Sequence, residues 1–428
     1  MKRKLAVIVL VMMLLAGGFY TLVTLYGGRA DVRGRVVLCI PVYGQSLALG
    51  EEAVRVTDFD SLSALGGGRI VTERMDHRFG FFCPEREKQL VKKLLKWHSR
   101  SFELSVYGMA ELLVQHLGAD TLVCIFPGGL GTTDLAGLGS SSSAYRRLMD
   151  DIGYACDYVE RHGGRFLVPA ICWMQGESDI ANYPGTDYRQ LLGKVVEDFN
   201  RDIMAITQQK DSVRMVCYQT NALSRGHLFD PQSFHCEEME VPQTMVSMLR
   251  DNNLFWASGP TYLYDFAREA IHIDGFGQKR LGYLEGKAVL GILRGEARFR
   301  GLIPLSVEGS VDSSSVVVKM NVPCPPLRFD TTMVSKASCY GFSVVDSLGE
   351  DLAVGVRLMG DSVVIRCSRS PVGCKVRYAV NGEMAKSGNR HGPRGNLRDS
   401  QGETLSVEIK GRAFPLHNWC YQFEEQVP

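Results

Sequence analysis

Five apolar, β-rich runs punctuate the first two-thirds of this chain, at Val36–Pro41, Thr121–Phe126, Arg165–Trp173, Val213–Gln219 and Leu254–Ala257. Helical periodicity marks Ser105–Leu117, Ala144–His162, Tyr188–Gln208, Pro242–Arg250 and Gly277–Leu293, mostly between those runs. Strand and helix in alternation predict an α/β fold, a parallel sheet covered by helices on both faces. Ligands in such folds bind beyond the carboxyl ends of the strands, so chemistry is sought where each apolar run stops. After about Arg298 the pattern changes to short alternating runs such as LAVGVRLMG, DSVVIRCS and CKVRYAVNG, separated by Gly, Pro, Asp or Ser. That is the pattern of an antiparallel β-sandwich. A chain of 428 residues is also too long for one ordinary core. The expected division is 1–34 as an N-terminal segment and linker, 35–297 as the α/β domain and 298–428 as the sandwich.

Met1-Lys2-Arg3-Lys4 precedes an uncharged stretch, Leu5 to Tyr26, whose length suits a signal peptide or a membrane anchor. Either predicts export to a periplasmic or extracellular location, with membrane contact only through this segment if it is retained. Lys+Arg is 48 and Asp+Glu is 47, with no basic arm or long stripe, which argues against nucleic acid as the main partner. Of the twelve cysteines, Cys39, Cys124, Cys172 and Cys217 sit inside apolar runs and read as small hydrophobes. Cys367 and Cys374 are near enough in sequence to pair. The absence of Cys-x-x-Cys, His-Glu-x-x-His or any repeated Cys/His spacing predicts no structural zinc site.

Four strand ends carry residues suited to chemistry. The first run continues into Gly44-Gln45-Ser46, which presents a serine beyond a strand but is not a Gly-x-Ser-x-Gly elbow, since Ala48 takes the last place. The second leads to Gly128, Gly129 and Gly131, where backbone N–H groups can approach a ligand closely; the spacing fits neither a P-loop nor a dinucleotide fingerprint. The third continues into Trp173-Met174-Gln175-Gly176-Glu177-Ser178-Asp179, and the Gln175 amide could donate to a developing oxyanion. The last contains His272, with Glu269 three residues before it and Asp274 two after; a base of this kind needs an acceptor on Nδ1.

In this order the four pieces resemble the SGNH-hydrolase superfamily, and within it the sialate O-acetylesterase-like carbohydrate esterases. The resemblance rests on Gly44-Gln45-Ser46, on Gly128–Thr133 with the following Asp134-Leu135, on Trp173 to Asp179, and on His272 followed by Gly277-x-x-x-Leu281-Gly282. It spans roughly residues 36–294 and implies a flavodoxin-like three-layer domain. It implies Ser46 as nucleophile, His272 as base, and an oxyanion hole from the N–H groups of Ser46 and Gly131 with the Gln175 side chain. Gln45, Trp173, Glu177 and Asp179 are the implied substrate contacts. The family has Asp where this chain has Glu269; Glu269 is the expected acid, with Asp274 and Asp265 as alternatives or a Ser-His dyad as a further one. The C-terminal part resembles the β-sandwich attached to some of these esterases, with Trp419 and Arg394 either at the site's rim or simply packing the sandwich.

The implied activity is an exported serine esterase releasing acetyl groups from a carbohydrate, sialic acid or an acetylated polysaccharide, with no metal or organic cofactor. The alternatives are a non-catalytic glycan-binding protein on the same fold, or an SGNH lipase, thioesterase or peptidase.

Overall fold

The computed structural model describes residues 31–72, 102–181, 187–221, 239–268, 271–310, 314–383, 386 and 388–428. The N-terminal apolar segment and Glu269 therefore lie outside the described residues. Among the described residues no helix is long and apolar enough to cross a membrane.

The α/β domain consists of β1 (Val36–Gly44), α1 (Phe59–Gly66), β2 (Ile70–Val71), α2 (Ser105–His116), β3 (Thr121–Gly129) and α3 (Ser143–Arg161). It continues through β4 (Arg165–Leu167), β5 (Ala170–Met174), α4 (Glu177–Ala181), α5 (Tyr188–Thr207), β6 (Arg214–Gln219), α6 (Glu240–Asp251), β7 (Phe255–Pro260) and α7 (Gly275–Leu293). The sheet order is β2-β3-β1-β5-β6-β7, all parallel, with β4 also pairing β1. From β1 the chain first builds outward on the β3 side and then crosses to the β5 side. The order thus reverses at β1, which makes its carboxyl end the natural ligand crevice.

Local chemistry explains the element ends. Carboxylate or hydroxyl caps start α1 (Asp58), α3 (Ser142), α5 (Asp187) and α7 (Asp274), each accepting a backbone N–H of the first turn. The run expected as one strand, Arg165–Trp173, is split at Val168-Pro169, because proline has no N–H for the ladder. The Gln209 side chain replaces the missing partner, accepting from Val168 N–H (2.9 Å) and donating to its carbonyl (3.0 Å). Helix α7 lies tight on α2: a Cβ at Gly282 would stand 1.9 Å from the Ser105 carbonyl oxygen, so glycine is required there for the approach.

The strand pairs of the C-terminal β-sandwich are antiparallel. Its four-stranded sheet runs β12 (Ala353–Met359), β13 (Ser362–Cys367), β9 (Ser315–Asn321), β8 (Ile303–Ser310). Its three-stranded sheet runs β11 (Phe342–Val345), β14 (Lys375–Tyr378), β18 (Phe423–Gln426). Two ribbons complete it, β10 (Arg328–Phe329) with β15 (Leu397–Arg398) and β16 (Ser406–Ile409) with β17 (Arg412–Pro415). The sandwich is fastened to the α/β domain by directed bonds. Gln219, at the end of β6, donates to the Gln422 carbonyl (2.8 Å) and accepts its N–H (2.7 Å). Tyr262 donates to the Cys420 carbonyl (2.8 Å), and Lys287 of α7 reaches Gln401 Oε1 (2.8 Å) and Asn418 Oδ1 (2.5 Å). Cys39, Cys124, Cys172 and Cys217 are buried in the sheet as thiols, and Cys367 and Cys374 are unpaired.

Candidate active site

The ends of β3, β1 and β5 converge. A Cβ at Gly44 would stand 1.9 Å from the Met174 carbonyl oxygen, and one at Gly129 only 1.8 Å from that of Gly44. Gly44 is thus demanded by the neighbouring strand's backbone, rather than by the turn itself. Gln45 N–H donates to the Met174 carbonyl (3.0 Å), and the chain then enters a single 3₁₀ turn, Ser46–Leu49, closed by Gly50 in the left-handed region.

This turn sets Ser46 against His272. The Ser46 Oγ lies 2.8 Å from His272 Nε2, although 226 residues separate them. His272 is held by a fold-back of its own loop: Ala267 N–H donates to the His272 carbonyl (2.7 Å) and Asp274 N–H to the Asp265 carbonyl (2.8 Å). Gln278, on the helix that follows, donates to the Leu47 carbonyl (2.9 Å) and locks the histidine segment to the serine turn.

The carboxylate on His272 Nδ1 is Glu52, at 3.1 Å. Glu52 adopts φ +65°, unusual for a residue with a side chain, which turns it back toward the imidazole. Its loop is fixed from beneath by buried Glu103, which accepts Val56 N–H and Thr57 N–H, both at 2.8 Å, and the Thr57 hydroxyl. Burial pushes the Glu103 carboxyl up, while those hydrogen bonds pull it back down. The acids expected from sequence are engaged elsewhere or outside the described residues. Asp274 caps α7 through Gly277 N–H (2.7 Å), and Asp265 pairs with Arg390 of the sandwich (3.2 Å). The Gly50-Glu51-Glu52 run, just past the serine, was the available signal for Glu52.

A cavity of about 650 Å³ opens over this constellation, lined among others by Gln45, Ser46, Glu51, Glu52, Thr132, Glu177, Arg268 and His272. Gln45 accepts Ser178 N–H (3.2 Å). Glu177 takes the Tyr218 hydroxyl at 2.5 Å, and burial raises its carboxyl pKa against that bond. Three expected contacts do not line the cavity. The Gln175 amide donates to Asp179 and to the Thr133 carbonyl, while its oxygen accepts from Tyr188 (3.0 Å), so it is not aimed at an oxyanion. Asp179 also accepts Leu135 N–H (2.9 Å) and ties the glycine-rich loop to β5. Trp173 is fully buried against Tyr43 (5.9 Å between ring centroids) and Phe199 (6.5 Å). Trp419 packs on Tyr262 and Arg394 bonds the carbonyls of Ser335 and Gly392, the packing roles rather than rim roles. Among the described residues no group of three or more His, Cys, Asp or Glu side chains is placed to hold a metal ion.

No protein-family model and no curated protein matches the chain. Among solved structures, a novel carbohydrate acetylesterase from Xanthomonas citri matches with a TM-score of 0.54 at 13% identity, over 92% of this chain and 81% of its own. NanS matches at 0.41 and 16% identity, over 62% of this chain and 100% of its own. A carbohydrate acetylesterase from Sinorhizobium meliloti matches at 0.33 and 14%, over 60% and 99%. The chain shares the fold of the Xanthomonas citri structure, an α/β domain built on a parallel sheet followed by an antiparallel β-sandwich.

Proposed function

We propose that this chain is an exported serine esterase that removes O-acetyl groups from carbohydrates. The observation that carries the reading is the relay of Ser46 Oγ, His272 and Glu52 at 2.8 Å and 3.1 Å, opening into one cavity. Ser46 Oγ attacks the acetyl carbonyl carbon while His272 Nε2 takes its proton. The C–O bond to the sugar then breaks, and His272 returns that proton to the departing sugar oxygen. Water, deprotonated by His272, attacks the acetyl-serine, and acetate leaves as the proton passes back to Ser46. Glu52, on Nδ1, holds the imidazole in the tautomer whose Nε2 accepts and stabilises the cation that forms.

The backbone N–H groups of Ser46 and Gly131 are the oxyanion donors in this reading, and Gln45 and Glu177 the substrate contacts. Export is through the segment at 5–26, the esterase domain is 35–297, and the sandwich is 298–428. The substrate is an acetylated sugar, sialic acid or a polysaccharide.

The full chain, given O-acetyl sialic acid and acetylated xylan among other acetylated glycans, is expected to release acetate. Ser46→Ala should lose on the order of 10⁴-fold or more of that turnover. Glycan binding without acetate release from any of them would make it a binding protein instead.

A further inference from the structure

Two adjacent glutamates straddle the imidazole. Because Glu52 turns through φ +65°, its carboxylate faces Nδ1 while that of Glu51 lands on the opposite side, with Oε2 4.0 Å from Nε2. Glu51 lines the cavity and its side chain is half exposed (51%). The same oxygen comes within 3.5 Å of where a Cβ would stand on Gly131. Among the described residues His272 is the only basic group within 4.0 Å of it, since Arg268 leans toward Glu52 (3.6 Å).

Such a placement has a cost. The nucleophile and the departing oxygen both bond Nε2, so this carboxylate stands beside the developing negative charge and disfavours it by direct repulsion. Once a bound substrate displaces water, the carboxylate must also find a hydrogen-bond donor or remain a desolvated, unpaired charge. An ester with no nearby O–H supplies none. A sugar with a free hydroxyl on the carbon next to the ester supplies one in the right place, because the two oxygens of a gauche diol lie about one hydrogen-bond length apart. With the ester oxygen at Nε2, the neighbouring hydroxyl falls within reach of Glu51.

We propose that Glu51 is a specificity-determining residue that accepts a hydrogen bond from the free hydroxyl vicinal to the ester, so that the site takes mono-acetylated diols and rejects esters whose neighbouring hydroxyl is blocked. This rests on the esterase reading for its position in the reaction, but not for its binding test.

The probes are a methyl glycoside carrying one O-acetyl group beside a free hydroxyl, and the same compound with that hydroxyl O-methylated. The full chain is expected to favour the free-hydroxyl ester in kcat/KM by about 10-fold or more, because the bound ester takes part of the water from this half-exposed carboxylate and leaves it unpaired without that donor. Glu51→Ala should collapse the ratio to within about 3-fold, and Glu51→Gln, whose amide oxygen still accepts, should keep part of it. A ratio near one in the native chain, or one unchanged by Glu51→Ala, overturns the inference. Loss of turnover equally on both esters would make Glu51 a stabiliser of the imidazolium and overturn it too. Calorimetric affinities on Ser46→Ala separate this from the esterase reading. The free-hydroxyl compound should bind at least about 10-fold tighter than its methyl ether, and the difference should vanish in Ser46→Ala/Glu51→Ala. Absence of acetate release with that affinity pattern intact would sink the esterase reading alone; equal affinities would sink the role of Glu51 alone.

Discussion

Asp399 in the sandwich and Glu52 in the α/β domain are both carboxylates that hold other groups in place, yet they are treated differently. Asp399 is fully buried and accepts the N–H groups of Cys324 (3.0 Å), Gln401 (3.1 Å) and Asn418 (2.9 Å), with the Asn418 amide as a fourth donor. Asn396 is likewise buried, donating to the carbonyls of Asp330 and Val334 and accepting Ala337 N–H. These side chains are spent on turns, and nothing is left over for a ligand. At the carboxyl edge of the parallel sheet, Glu52 bonds His272, and Glu51 faces an open cavity where, among the described residues, that same imidazole is the one basic group within 4.0 Å of it. Saturated polar groups mark scaffolding, whereas unsaturated ones facing a cavity mark a place for chemistry.

That contrast breaks most visibly at Glu52. Glu52→Gln keeps the shape but removes the charge and favours the wrong tautomer, so kcat for acetate release should fall about 10²–10⁴-fold with little change in thermal stability. Steady-state kinetics beside a melting curve would check both halves. If Glu269→Gln proved the more damaging substitution, the acid would return to the position expected from sequence.

A second test uses pH. Glu285 of α7 is buried, its Oε2 has no hydrogen-bond partner among the described residues, and burial holds its carboxyl up at about 8, offset only in part by Ser105. In the unfolded chain it titrates near 4.5. Between those values the folded state keeps a proton that the unfolded state releases. Stability therefore falls with rising pH by roughly 1.4 kcal/mol per unit and levels off above about 8. Glu285→Gln cannot ionise, so its advantage over the native chain should grow from near zero at pH 4.5 to about 3–4 kcal/mol at pH 8, measured by urea unfolding. Asp330 in the sandwich should slope the other way. Burial raises it, but hydrogen bonds from Met333 N–H, Arg398 and Thr332 outweigh that and hold it at about 2, so its stabilisation is present above its unfolded value of 3.8 and is lost as pH falls toward 2.

Much of this was legible beforehand, for identifiable reasons. Periodicity located β1, β3, β6, β7 and the helices α2, α3, α5, α6 and α7 because each buries one apolar face or run, whereas the short α1 and α4 carry too few turns to show a period. Ser46 stood out because it follows the end of β1, where this topology exposes residues, and His272 because it precedes a helix with carboxylates close by in sequence; the structure brings the two side chains together. Glu52 was not legible, because it meets His272 across 220 residues and only the φ reversal after Gly50 turns it inward. Trp173, Gln175 and Asp179 turn away from the cavity: a dense polar block after a strand suggests a ligand, yet Gln175 bonds Thr133 and Tyr188, Asp179 bonds Leu135, and Trp173 packs on Tyr43 and Phe199. Sequence shows that such a block is polar, but not which way its side chains turn.

The smallest expected effect tests the scaffolding half of the contrast. Asp399→Ala strands three backbone N–H groups and the Asn418 amide, and Asn418 in turn holds Lys287 of α7 together with Gln401. Some of those groups will recruit water, so the cost should be about 2–3 kcal/mol, a part of what four dry losses would imply. Because none of these atoms lines the cavity with Ser46, kcat per folded molecule should stay within about 2-fold of the native value. Urea unfolding and active-site titration on the same samples would separate the two quantities. A variant that kept its stability but lost turnover would mean the sandwich shapes the reaction through α7. The division between saturated scaffold and unsaturated site would then fail at the helix the two regions share.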